Sequence, residues 1–347
     1  MKLSSLLGAT SIAMLAGAAM ARDADLMVFD YAGFENPAFH SAYTAAHGMS
    51  PTFSFFGDED EAFQKVTSGF QPDVTHICAG SVTRWIEAGI LQPWDTSRIP
   101  AFADLDPALL EGATGPDGQI YFIPTDWGST AIAYNTEQVT AEQVSSLQIF
   151  ADPAMAGRVS LPDNVDDTWS LAFLATGVAS TADATEEQIV AAADWLRMVH
   201  PNLRTYWTDP AELAQLMATG EILVSWAWNE TYPTLKGEGV PVGFQRQATE
   251  GSSVWYCGLV KMADGAGSED RAYDYVNAFI DPATTAALVE TGWGHSNLTA
   301  MTAQITAEDL EASGLGAITA PINPQAPMSN ALRERLAEEF ELIKAGF

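Results

Sequence analysis

The sequence predicts an α/β protein built as two lobes. Three observations predict it. Strand and helix patterns alternate along the chain, the same grammar returns in its middle, and 347 residues with 47% apolar content suffice for two domains of ordinary size.

The first residues stand apart. Lys2 precedes an apolar run from Leu6 to Ala16, and Ala19-Met20-Ala21 forms an A-x-A pattern ahead of the polar Arg22-Asp23. A positive start, a short apolar core and a small-residue site predict a signal peptide over 1–21, cleaved after Ala21, and so a periplasmic protein. The run falls short of the roughly 20 apolar residues of a membrane span. No other stretch reaches that length, so no membrane insertion is expected.

Leu26 to Phe29 reads as a buried strand, Tyr31 to Asn36 as a turn around Gly33, and Pro37 opens a helix, where proline is tolerated in the first turn. Pro51 to Phe56 is the next strand. Asp58 to Thr67 is helical, with Ala62, Phe63 and Val66 on one face. Pro72 to Cys78 is a third strand ending at Ala79-Gly80-Ser81, and a helix runs from Val82 to Ala88. This order implies a parallel, helix-covered sheet, in which ligands sit beyond the carboxyl ends of strands. The loops Asp30–Phe34 and Ala79–Ser81 are therefore candidates.

The middle repeats the pattern. Ile132 to Asn135 and Arg158 to Leu161 are strands, and Thr185 to Val199 is a helix with Glu186 and Glu187 in its first turn, where they suit the dipole. Leu213 to Thr219 is helical and stops at Gly220. Ile222 to Trp226 and Val254 to Met262 are strands, Asp270 to Phe279 is a helix, and Asn330 to Ala345 is amphipathic, with Leu332, Leu336, Phe340 and Ile343 inward.

Asp and Glu total 45 against 15 Lys plus Arg, a formal charge of −30. Nucleic-acid binding needs a basic stripe, which is missing, and an anionic membrane would repel this chain. The two cysteines, Cys78 and Cys257, cannot make a four-ligand zinc site, and the five histidines show no metal spacing. His76 and Cys78 share one strand face, where a structural role is more usual than a catalytic pair. No phosphate-binding glycine loop, G-x-S-x-G or H-E-x-x-H occurs. No enzyme, cofactor or metal is expected.

The chain has ten tryptophans. Trp127 sits in Pro124-Thr125-Asp126-Trp127-Gly128, Trp228 in Trp226-Ala227-Trp228-Asn229-Glu230, Trp255 at the start of a strand, and Trp293 between Gly292 and Gly294. Element ends concentrate binding residues, and aromatic faces attract cations, at roughly 0.5–2 kcal/mol each. Core packing is the competing reading for any single tryptophan; Trp85 and Trp94 are assigned to packing. Asp126 adjoins Trp127, and Asp163, Asp166 and Asp167 follow a strand; such acids accept charge-assisted hydrogen bonds from an amine, or cap helices. Arg204 suits a ligand carboxylate or a surface ion pair.

With these residues in hand, the chain resembles the periplasmic spermidine/putrescine-binding proteins, the binding components of ABC importers. The resemblance rests on Pro72-Asp73-Val74, Gly89 to Pro93, Ile123 to Ile132 with Asn135, Gly220-Glu221-Ile222 through Trp228-Asn229, and Glu290 to Trp293 with Asn297. It implies a type II-like periplasmic binding protein fold, each lobe a mixed sheet flanked by helices, with the solute between them. It divides the chain into lobe 1, residues 22–130 plus 254–303, and lobe 2, residues 131–253 plus 304–347. The family's aromatic ligand positions fall on Tyr31, Phe34, Trp228, Trp255 and Trp293. Its serine and tyrosine positions fall on Ala79 and Ser81. Its paired acids fall on Asn164 and Asp167, so one charge is lost, and a further acid falls on Cys257. Asp126, Trp127 and Arg204 complete the candidate set.

A polyamine is the first expected solute, and a zwitterionic or quaternary amine, betaine-like or resembling 4-aminobutyrate, the second. An enzyme on the same scaffold ranks below both. The expected partners are the solute and ABC permease subunits, and a monomer is expected. The same correspondence sets Cys78 and Cys257 on two elements of the first lobe near the cleft, where a disulfide is an open alternative.

Overall fold

The structure, a computed structural model, describes residues 22–110 and 112–347; the expected signal peptide lies outside the described residues. Its strands are β1 (Arg22–Tyr31), β2 (Ser50–Phe56), β3 (Val74–Cys78), β4 (Leu91–Gln92), β5 (Phe122–Asn135), β6 (Val159–Pro162), β7 (Leu203–Trp207), β8 (Val224–Trp228), β9 (Val242–Gln245), β10 (Ser252–Met262), β11 (Gly294–His295) and β12 (Ile322–Pro324). They make one continuous curled sheet with the main order β2-β1-β3-β10-β5-β8-β6-β7. β2, β1 and β3 run parallel, as the alternating order predicts, and so do β8, β6 and β7. The long strands β10 and β5 pair antiparallel to each other and join the two parallel groups.

Each parallel group has its own core. On β10, Trp255, Cys257 and Leu259 enter one cluster with Leu26, Val28 and the helix Glu269–Phe279. Tyr256 and Val260 point the other way, to Phe29, Ile77, Trp85 and Phe122. That alternation is the period-2 pleat of a strand buried on both faces. The second group is covered by the helices Val165–Ala175, Glu186–Val199 and Asn330–Lys344, whose Trp169, Trp195 and Leu336 share a cluster with Val159, Val224 and Trp226. Separate core clusters around each parallel group, joined through β5 and β10, make the two-lobed α/β architecture predicted from sequence.

Several local boundaries differ from expectation, most of all that of the strand read as Ile132–Asn135, which begins at Phe122 as the long β5. The strand read as Ile222–Trp226 begins and ends two residues later, because the amides of Glu221 and Ile222 turn back to the carbonyl of Leu216 and close the preceding helix. The segment Ala79–Ser81, read as a loop, is the first turn of the helix Ala79–Glu87, so β3 runs straight into it. Gly292, at φ 100°, supplies the left-handed cap that turns the chain toward β11; a Cβ there would stand 2.9 Å from the Cα of Glu230.

Candidate ligand-binding cleft

The carboxyl ends of β1, β3 and β8 meet where β5 and β10 pass between the two cores. Side chains at these ends form an aromatic cluster. Phe34 and Trp293 stack face to face, with centroids 4.1 Å apart and planes 4° apart. Phe34 also meets the edge of His76 at 4.5 Å, and Tyr31 lies 6.4 Å from Phe34. Trp255 and Trp228 pack on the same cluster; Trp228, at the end of β8 in the second group, also lies edge-on to Trp207 at 4.9 Å. Gly128 lets Trp255 lie flat across β5: a Cβ there would stand 2.2 Å from its ring and 2.4 Å from Asn229 Oδ1.

Three of these aromatics donate their polar hydrogen to a carboxylate. Trp228 Nε1 donates to Asp167 Oδ2 at 2.7 Å, Trp293 Nε1 to Glu230 Oε2 at 2.5 Å, and Tyr31 Oη to Glu59 Oε1 at 3.1 Å. Each acid therefore fixes the plane of one ring. Asp167 takes two more donors, the Thr130 hydroxyl at 2.5 Å and the Gln325 amide at 2.7 Å, so all its side-chain donors are neutral. Glu59 also accepts from the Cys78 backbone at 2.6 Å and from the Ser81 side chain.

The electrostatics follow. Asp167 is almost fully buried, and burial pushes it up to about 6 against the lowering effect of its three donors. Withdrawal from water pushes Glu230 and Glu59, both partly exposed at the surface of the cleft, up to about 7. Beneath the aromatics lies one charged centre. His76, 0% exposed, bridges Asp30 at 2.8 Å and Asp126 at 3.0 Å. Burial opposes its charge, but the two flanking carboxylates overcome it and push His76 up to about 10, so it stays protonated. It is spent on those two acids, and Glu230 and Asp167 accept only uncharged side-chain donors.

Of the candidate residues, Tyr31, Phe34, Trp228, Trp255 and Trp293 come together in one cluster, with Asp167 and Ser81 at its margin. Asp126 lies beneath, committed to His76. Trp127 points out of the cluster: its indole donates to the carbonyl of His295 at 3.2 Å and lies against Gly294. Arg204 sits on β7 in an exposed ion pair with Glu221 at 3.1 Å, away from the aromatics. Asn164 caps its helix by accepting from the amide of Asp167. Cys257 stands opposite Cys78 in the β10–β3 register and is disulfide-bonded to it. Sequence reasoning missed Glu59 and Gln325. Glu59 follows a helix-capping Asp58 and looks like an ordinary dipole-complementing acid. Gln325 follows β12 in a stretch with no periodic signal.

The residues brought together here are aromatic and acidic, and they lie between the two strand groups at the ends of parallel strands. The chain belongs to the bacterial extracellular solute-binding proteins: that family matches residues 38–312. It is 25% identical over 300 residues to the spermidine/putrescine-binding periplasmic protein of Escherichia coli (strain K12), covering 85% of this chain and 84% of that one. Its fold matches a putative spermidine/putrescine ABC transporter from Listeria monocytogenes with a TM-score of 0.79 at 18% identity, over 92% of this chain and 98% of the other. It also matches the binding protein MotA from A. tumefaciens B6, solved with glucopine, with a TM-score of 0.74 at 18% identity, over 92% and 99%. The protein is a solute-binding component of an ABC importer. Among the described residues no helix is long and apolar enough to cross a membrane.

Proposed function

We propose that the protein captures a cationic amine, of the polyamine type that its curated relatives are named for, and delivers it in the periplasm to its permease. One observation carries this reading. Asp167 and Glu230, beside the aromatic faces, accept only neutral side-chain donors and are desolvated by burial. A buried carboxylate without a counter-charge is costly, and an ammonium group between these two acids and the faces of Trp228, Trp255 and Trp293 offsets that cost. An anionic or neutral solute leaves it standing.

The proposed ligand set is Tyr31, Phe34, Ser81, Asp167, Trp228, Trp255 and Trp293 from the sequence reading, with Glu59 and Glu230 added. Asp126 acts from beneath, by holding His76. Trp127 and Arg204 have no place in it, since neither faces the cluster. The proposed lobes are residues 22–130 plus 254–303 and 131–253 plus 304–347. The cores around the two parallel strand groups support the main part of that division, while a small cluster of Val289, Met301, Leu310 and Leu315 crosses the boundary at residue 303; the solute then stabilises the closed state through its contacts with both lobes.

Isothermal titration calorimetry with putrescine and spermidine tests the proposal. Saturable heats that vanish in W228A support it. Absence of binding by either amine, with binding of an anionic or neutral solute instead, rejects it.

A further inference from the structure

The helix Asn330–Lys344 of the second lobe faces the helices Glu59–Thr67 and Ala79–Glu87 of the first. A cavity of about 450 Å³ lies between them. The first lobe lines it with the acids Asp58, Glu59 and Asp60 and the base Arg84. The second lobe lines it with Asp163, Asp166, Glu334 and Glu341, and with the bases Lys344 and Arg333. Bringing the lobes together therefore sets acid against acid. Asp58 and Glu334, one from each side, form no ion pair among the described residues.

The bases answer this unequally. Arg84 pairs with Asp60 on its own lobe, and Lys344 with Asp163 and Glu341 on its own. Arg333 is shared: its guanidinium meets Asp166 Oδ2 at 2.5 Å on its own lobe and Asp60 Oδ2 at 3.9 Å on the other. Among the ion pairs of the described residues, the contact with Asp60 alone joins the two lobes. The Arg333 side chain is only 7% exposed, so water screens it weakly. Gly80 of the first lobe permits the approach: a Cβ there would stand 2.9 Å from Asp166 Oδ1 and 3.5 Å from Arg333 Nη2. Asn330 Nδ2 crosses to Glu87 Oε2 at 2.5 Å beside it. At the aromatic cluster the lobes meet through neutral donors instead, Trp293 Nε1 to Glu230 and Asn229 Nδ2 to the carbonyl of Gly292.

We propose that Arg333 is an ionic clasp: it supplies the counter-charge that lets two acidic rims meet, and so sets the balance between open and closed lobes. This role rests on the two-lobed closure in the reading above, and not on the solute being an amine. Removing Arg333 leaves Asp166 uncompensated against the acids of the first lobe, and salt shortens the range of that repulsion. A shift in the balance scales the apparent affinity for every solute by one factor, because only the closed fraction holds its solute with both lobes.

Two readouts test the clasp on the unsubstituted protein, R333Q and R333Q/D60N. The first is the distance between two spin labels, one on each lobe, measured at low salt without added solute. R333Q should lengthen it, and D60N, by removing the facing acid and freeing Arg84, should shorten it again. Equal distances in all three proteins overturn the proposal, whether or not any amine binds. The second readout is calorimetry with putrescine and spermidine. R333Q should weaken both by the same factor, about tenfold. That loss should shrink between about 20 and about 500 mM salt, as the screening length falls from roughly 20 to roughly 4 Å. A loss confined to one amine, or one that salt leaves unchanged, overturns the clasp and leaves the amine reading in place. Binding of neither amine overturns the amine reading alone, and the label distances still decide on Arg333. If R333Q does not fold, D58N/E334Q decides: removing one acid from each rim should shorten the distance at low salt, and an unchanged distance refutes the clasp.

Discussion

Replacing Asp167 with Asn should weaken amine binding and, at the same time, stabilise the empty protein. The two effects have opposite signs because one charge causes both. Asp167 is 3% exposed and stands near 6 rather than its ordinary 3.8. That rise corresponds to ~3 kcal/mol that the folded, empty protein forgoes by keeping this group ionised at neutral pH. Asn removes that cost with little loss of hydrogen bonding. With its carbonyl in the place of Oδ2 it still accepts from Trp228 Nε1. Its NH₂, in the place of Oδ1, donates to the Thr130 hydroxyl and to a flipped Gln325 amide, both of which can accept. Net stabilisation of the empty protein at pH 7.5 should then be about 1–3 kcal/mol, allowing for imperfect geometry. A bound ammonium loses a charge-assisted partner worth roughly 1.5–3 kcal/mol, or about 10- to 150-fold in affinity. Chemical denaturation without ligand reads the first effect and calorimetry the second. D167N that binds amines unchanged, or that is less stable when empty, refutes the reasoning.

Amine affinity should rise from pH 5 to about pH 7.5 and then level off, because Asp167, near 6, and Glu59 and Glu230, near 7, must ionise to meet the cation; calorimetry across pH with a quaternary amine of fixed charge checks this. The same raised values mean that these acids favour the empty fold fully below their unfolded values near 4 and lose that contribution as pH rises through 6 to 7, so the benefit of added amine to Tm should be larger at pH 7.5 than at pH 5. W228A removes an aromatic face and the donor on Asp167 Oδ2, and should lower affinity by about 100-fold or more while leaving the circular dichroism spectrum intact. G128A should displace Trp255 and weaken binding, since the new methyl overlaps that ring; a wild-type affinity would show that Trp255 is not part of the site. Reduction of the Cys78–Cys257 bridge, which closes a separation of 179 residues, should cost about 2–5 kcal/mol of stability, read from denaturation with and without reductant.

The fold was legible because its signals are local. Alternating strand and helix patterns, Glu186 and Glu187 in a helix's first turn, and Gly220 at a helix end each specify structure within a few residues. The aromatic half of the site was legible through Trp228 and Trp293, which stand at element ends. The acidic half was harder, because with 45 acids no single carboxylate is distinguished by its sequence neighbours. Glu59 matters only because the parallel pairing of β1 with β3 brings its helix beside Tyr31 and Cys78. Arg204 drew attention through the scarcity of basic residues, but its strand β7 lies at the far edge of the sheet, where it pairs with Glu221. Arg333 sits in an ordinary amphipathic helix, and only tertiary packing brings it to Asp166 on its own lobe and to Asp60 on the facing helix. The bridge between Cys78 and Cys257 depends on a strand register that spacing alone does not contain.

The most direct measurement is a thermal-shift screen of the protein at pH 7.5 against amines, dicarboxylates and neutral sugars. At about 100 times Kd, a solute that binds only the folded state adds ~2.7 kcal/mol, which raises Tm by about 4 °C or more in a protein of this size. Putrescine-like amines should give that shift, and anions and sugars none. Stabilisation by a dicarboxylate or a sugar, with no response to any amine, would contradict the assignment of this cleft to a cationic solute.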